Sequence, residues 1–232
     1  METADNKVFI TMFHKFSFKY RNKVIDSETM KSEKLVKLFT YLLMNHQRSL
    51  PSSELADMLW YFEDIDNPIG ALKNLVYRLR ALLKKEFGMS DFITTGKGAY
   101  SINPAYTISM DVSDFDICNN DLTNAQGNEA ELYQRLIQLY RGKFLSEIKG
   151  DHNILSKSAY YHSIYIGRVI EYANLLEENK EYAEMERLAR NAIEIDDLEE
   201  DLYEILIRAL YFQKQYKKAY EVYRSTTELL YE

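Results

Sequence analysis

Two stretches of this chain repeat each other at an interval of 34 residues. "LLEENKEYAEMERLARNAIEID" begins at Leu175 and "ALYFQKQYKKAYEVYRSTTELL" at Ala209. The match falls on particular positions: Glu181-Tyr182 on Gln215-Tyr216, Leu176 on Leu210, and Ala173 on Ile207. Apolar residues within each copy recur at helical spacing, so each copy reads as a pair of helices. Such a hairpin cannot bury its apolar face alone and has to stack on neighbours. Upstream helical stretches at about 129–141 and 154–179 supply the rest of the stack. No proline follows Pro104, so nothing there interrupts a helix.

The first half is built differently. Val8, Ile10 and Met12, then Phe16, Phe18 and Tyr20, alternate as in two short strands, and Val24-Ile25 opens a third after an Arg21-Asn22-Lys23 turn. From Ser32 the period changes to that of a helix, with Leu35, Leu38, Phe39, Leu42 and Leu43 on one face. Ser52 or Ser53 can cap a second helix that buries Leu55, Met58 and Leu59. Asn67-Pro68 places an N-cap before a proline at the first helical position, and Gly88 stands beyond the end of a third helix running to about Phe87. Its buried stripe is Leu72, Leu75, Val76, Leu79, Leu82 and Leu83. Phe92–Thr95 and Ala99–Ile102 then read as strands around Gly96-Lys97-Gly98.

Glycine, lysine and glycine in a row could cradle a phosphate. A phosphate loop, however, needs a helix directly after it, and here Ala99-Tyr100-Ser101-Ile102 continues as strand. The alternative is a tight hairpin that carries Lys97 at its tip. Strands, three helices and a hairpin in this order give a winged helix-turn-helix. We therefore expect an α+β N-terminal winged domain over residues 1–110 and an all-α, helical-repeat domain over 111–232.

Opposite its leucines the third helix carries Lys73, Asn74, Tyr77, Arg78, Ala81, Lys84 and Lys85, with Arg80 on the flank. An amide pairs with adenine and arginine with guanine in the major groove, and a small residue allows close approach. Basic faces are commonly just solvated, but this one follows a helix pair and precedes a lysine-tipped hairpin. The net charge of −7 lies wholly in residues 118–232, which carry 14 Lys and Arg against 21 Asp and Glu. Residues 1–117 are balanced at 15 and 15. A neutral half joined to an acidic half suggests modules with different partners, and predicts modest, salt-sensitive affinity for one copy on duplex DNA.

Other chemistry finds little support. His14, His46, His152 and His162 have no metal-ligand spacing, and Cys118, in "FDICNND", is expected at the end of a short helix as an inert thiol. A single cysteine excludes an internal disulfide, which fits the cytoplasm. No apolar run is long enough to span a bilayer. The nineteen tyrosines, concentrated on the repeats, are expected mainly as core filler with wet hydroxyls, and the acidic run Glu194–Glu204 as a solvated turn. No acid/base pair or activated nucleophile marks an enzyme, and no cofactor is expected.

These residues resemble a known family. "KLFTYLLMNHQRSLPSSELADMLW", "ALKNLVYRLRALLKK" and "FITTGKGAYSI" look like the OmpR/PhoB-type winged helix as it occurs in the SARP (antibiotic regulatory protein) activators. "LYRGKFLSEI" at 139–148, with the 34-residue repeat, is similar to the tetratricopeptide-like bacterial transcriptional activator domain that follows it in those proteins. The resemblance implies a sequence-specific, DNA-binding transcriptional regulator. By it, Lys73, Asn74, Tyr77 and Arg78 meet base edges or flanking phosphates, Arg80 and Lys84 hold phosphate, and Lys97 touches the backbone or minor groove. Double-stranded DNA is the implied partner. The helical domain is expected to contact another copy, RNA polymerase or an unknown effector. The rival reading is a helical-repeat adaptor whose winged domain has no use for DNA.

Overall fold

The computed structural model describes residues 6–61 and 63–231. It forms two compact units. The first takes the chain up to Ser113 and, in addition, Glu147–Ile154; the second takes Asp114–Ser146 and Leu155–Glu232.

The first unit opens with strands β1 (Lys7–Thr11), β2 (Ser17–Tyr20) and β3 (Lys23–Asp26). Both turns are antiparallel, pairing Ile10 with Phe18 and Phe18 with Ile25. Alternation sends Val8, Ile10, Phe18 and Tyr20 to the core and leaves Phe9 outside. A fourth strand, absent from the sequence reading, completes this sheet. It is β7 (Thr107–Met110), which runs parallel to β1 with Val8 opposite Ile108, in the order β3-β2-β1-β7. Its four residues follow a Pro-containing loop and hold a single buried side chain, Met110, too little alternation to stand out by itself.

After the one-turn α1 (Ser27–Met30) come three helices: α2 (Glu33–Met44), α3 (Ser52–Leu59) and α4 (Pro68–Phe87). Leu35, Leu38, Phe39, Leu42, Leu55 and Leu59 lie buried as their spacing requires, whereas Met58 is only half covered. Phe18 sits at the centre, with its ring 5.0 Å from Phe39, 5.4 Å from Phe87 and 5.3 Å from Phe92. It is fully buried, so truncation to alanine would cost about 3–5 kcal/mol. A second sheet follows α4, made of β5 (Ile93–Gly96), β6 (Ala99–Ile102) and the two-residue β4 (Leu50–Pro51), in the order β4-β6-β5.

Glu147–Ile154 belongs with this unit because polar side chains bind it there. Glu147 accepts the Phe16 amide at 2.9 Å, and the buried Asp151 accepts the Tyr41 hydroxyl at 2.9 Å and the Ile154 amide at 3.1 Å. Burial and that carboxylate together push the Tyr41 hydroxyl far above the usual phenol range.

The second unit is helical: the continuation of α5 (Asp111–Thr123), then α6 (Glu129–Leu139), α7 (His152–Glu178), α8 (Tyr182–Ile195), α9 (Glu200–Phe212) and α10 (Tyr216–Tyr231). Cys118 lies inside the 13-residue α5 rather than at the end of a short helix, and is fully buried, which raises its thiol pKa. The 34-residue repeat holds at the level of single hydrogen bonds. The Lys180 amide donates to Glu177 and Lys214 to Tyr211, both at 2.9 Å. Glu181 donates to Leu176 at 2.8 Å and Gln215 to Leu210 at 2.9 Å. Lys180 and Lys214 each close a helix in the left-handed region, at φ 62° and 61°.

Tyr140 stacks on Tyr165 at 4.2 Å, so these two tyrosines are core filler, but their hydroxyls are not wet as expected: both side chains are buried. The acidic run is not purely solvated. Asp196 accepts from Lys143 at 2.8 Å and from the His162 Nε2 at 2.8 Å, while the Tyr140 hydroxyl meets His162 Nδ1 at 3.0 Å.

Candidate nucleic-acid interface

Helix α4 is fixed at both ends by its own sequence. The Asn67 side chain accepts the Gly70 amide at 2.8 Å, Pro68 fills the first turn, and Gly88 closes the helix at φ 74°. Gly70 lies so close to that cap that an added Cβ would meet the Asn67 side chain at 2.6 Å. Leu72, Leu75, Val76, Leu79 and Leu83 hold the helix against the core, with Leu82 half buried. The opposite face is open. Lys73, Asn74, Tyr77, Arg78, Ala81, Lys84 and Lys85 are all exposed, and Tyr77 reaches 74%. Lys85 pairs with Glu86 at 3.1 Å. Among the described residues, no carboxylate pairs with Lys73, Arg78, Lys84 or Lys97.

The hairpin after α4 turns at Lys97-Gly98, since Gly96 is still in the ladder opposite Ala99. Both turn residues have positive φ, 51° and 76°, the two-residue turn whose twist suits a hairpin. A lysine in the first of these positions is less comfortable than glycine, and its side chain points into solvent.

The wing is fastened at two points that the sequence reading missed. Near its base, Arg80 donates through Nε and a terminal nitrogen to the Ile93 carbonyl, at 3.1 and 2.8 Å, and to Thr95 Oγ1 at 2.7 Å. At its tip, the Ser52 amide and hydroxyl both donate to the Gly98 carbonyl, at 2.9 and 2.7 Å. The first bond ties the wing to α4 and the second to the start of α3. Arg80 is thus half buried and engaged with β5, apart from the open row of Lys73, Asn74, Tyr77, Arg78 and Lys84. Its flank position on the helical wheel was the only signal that it would differ. The expected Ser52 or Ser53 cap of α3 does not form: Pro51 holds the N-cap position with no side-chain capping bond, and the Ser52 hydroxyl turns instead to a residue 46 positions away.

This basic face offers hydrogen-bond donors and positive charge. Among the described residues, no three His, Cys, Asp or Glu side chains gather as a metal site would need, and no helix is long and apolar enough to cross a membrane.

Comparison with known proteins agrees with this architecture. Residues 119–232 match the family described as bacterial transcriptional activator domain. A sequence search of curated proteins found no match. Among solved structures, the chain is similar to one described as Mycobacterium tuberculosis EmbR in complex with low affinity phosphopeptide. The TM-score is 0.70 at 13% identity, over 96% of this chain and 59% of that one. The chain thus spans about three-fifths of the length of that protein, and the likeness is one of fold. The family is one of transcriptional activators and not of a known enzyme class. The chain thus carries an N-terminal winged helix-turn-helix followed by a region that matches the bacterial transcriptional activator domain, in a fold like that of the EmbR structure.

Proposed function

We propose that the protein binds duplex DNA sequence-specifically, with α4 in the major groove and the wing on the backbone or minor groove. The observation that carries this reading is the row Lys73, Arg78 and Lys84 on the outer face of α4, none of them paired with a carboxylate among the described residues, together with the exposed Lys97. Lys73, Asn74, Tyr77 and Arg78 are proposed to reach base edges and flanking phosphates, and Lys84 and Lys97 phosphates. Arg80 supports the interface from behind: by holding Ile93 and Thr95 it sets the angle between wing and helix. The helical-repeat unit is proposed to make dimer or partner contacts, RNA polymerase among them.

The test is selection of bound sequences from random duplexes at two salt concentrations, followed by titration of the selected site. Lys73→Ala with Arg78→Ala should lower affinity about thirtyfold or more, at about 1–3 kcal/mol for each base contact. No enrichment of any sequence, or a double variant that binds like the parent, would favour the adaptor reading instead.

A further inference from the structure

A cavity of about 500 Å³ is lined by α3, the loop that leads to α4, Lys37 of α2 and the segment 150–153. Every residue lining it belongs to the first unit. Its volume lies in the range that holds a small molecule. The apolar part of its wall is Met58, Leu59 and Tyr61. Helical spacing turns Met58 toward the core, yet it stays half covered, and Tyr61 is 70% exposed. Covering such a wall with an apolar body is favourable.

The charges around the cavity leave one carboxylate over. Asp151 is fully engaged: buried, it accepts the Tyr41 hydroxyl at 2.9 Å and the Ile154 amide at 3.1 Å, and it lies 3.5 Å from Lys37. Lys37 is also held by Glu33 at 2.8 Å. Glu54 accepts two nitrogens of Arg48, at 2.5 and 3.1 Å, and Glu63 pairs with Lys34 at 2.5 Å. Asp57 is exposed, and among the described residues no cation pairs with it. On α3 and the loop after it, Glu54, Asp57 and Glu63 thus face only Arg48 and Lys34, an excess of one negative charge. A metal ion needs several ligands gathered closely, and among the described residues no three His, Cys, Asp or Glu side chains gather so. An amine or guanidinium can use a single carboxylate and lay an apolar stem along the wall.

We infer that this cavity takes a small organic cation of single charge, an amine or guanidinium on an apolar body, with its charge at Asp57 and its body against Met58, Leu59 and Tyr61. This does not rest on DNA binding. Trp60, the one tryptophan of the chain, stands between Leu59 and Tyr61 in sequence, so its fluorescence can report occupation.

Phenylbutylamine, phenylbutanol and phenylbutyrate share one body and differ in charge. Each is titrated into the whole chain and followed by Trp60 fluorescence and by the amide signals of the isotope-labelled protein. The amine should bind saturably, in the millimolar range proper to so small a probe, and shift amides of α3, of residues 59–61 and of 150–153. The alcohol and the acid should bind about tenfold more weakly or not at all. Asp57→Asn should weaken the amine about threefold to fivefold, the value of an exposed carboxylate. Asp57→Lys should weaken it more than about tenfold, because the lysine supplies the cation itself and repels the probe. Asp197→Asn removes the same charge in the second unit and should change nothing; circular dichroism checks that each variant keeps its helices. Four results would each overturn the proposal: no saturable binding of the amine, equal binding of all three probes, shifts confined to residues away from the cavity, or indifference to both Asp57 variants. The Lys73→Ala, Arg78→Ala protein should bind the amine like the parent, so loss of the DNA reading and loss of this one are separable.

Discussion

Replacing Lys97 by glycine should make the protein more stable and a poorer DNA binder at once. Lys97 occupies the left-handed region at φ 51° in a two-residue turn, with its side chain exposed and, among the described residues, no carboxylate paired to it. A residue with a Cβ is disfavoured there by about 1–2 kcal/mol, while glycine adds about 0.5–1 kcal/mol of chain entropy to the unfolded state. The difference leaves a net gain of about 0.5–1 kcal/mol, which is a rise of a few degrees in the melting of the first unit. The turn is otherwise undisturbed, because Ser52 holds it through the Gly98 carbonyl. Affinity for the selected duplex should fall by up to about tenfold at moderate salt, and the slope of log K against log salt should shrink by about 0.9, the value of one phosphate contact. Thermal unfolding and fluorescence anisotropy at several salt concentrations read the two effects independently. An unchanged slope would refute a phosphate contact by Lys97, and a lower melting temperature would refute the reasoning from backbone strain.

Two further outcomes follow from the helical unit. Lys180→Gly and Lys214→Gly release the same left-handed strain at exposed helix ends, so each should stabilise by up to about 1 kcal/mol in urea unfolding, additively because the sites are separate; destabilisation by either would count against the assignment of those helix ends. His162 is held neutral by burial first and by Lys143 next, against the pull of Asp196, so its pKa lies below the ordinary 6.5. The unfolded chain therefore takes up a proton that the folded chain resists, and stability present above about pH 6.5 is lost as the pH falls below it. The urea midpoint should drop from pH 7 to pH 5 more steeply in the parent than in His162→Gln; equal slopes would dismiss the Tyr140–His162–Asp196 cluster as the cause.

The local elements were written in the sequence because their causes are local. The Asn67-Pro68 start and Gly88 stop of α4, its leucine stripe, and the interval between repeats all act within one or two turns of backbone. Its open basic face follows from the same wheel, since a helix that buries one stripe must expose the other. What the sequence could not show is pairing between distant segments. Strand β7 joins β1, the two-residue β4 joins the wing, and Glu147–Ile154 returns to the first unit through Phe16 and Tyr41, all across long stretches of chain. Arg80 read as one more cation, and only the approach of Ile93 and Thr95 made it a strut for the wing. The same holds for the tyrosines. Spacing put them on helices, but burial against a neighbouring helix decided that Tyr165 is core and Tyr223 is surface, because a side chain's environment is set by what packs on it and not by its own chemistry.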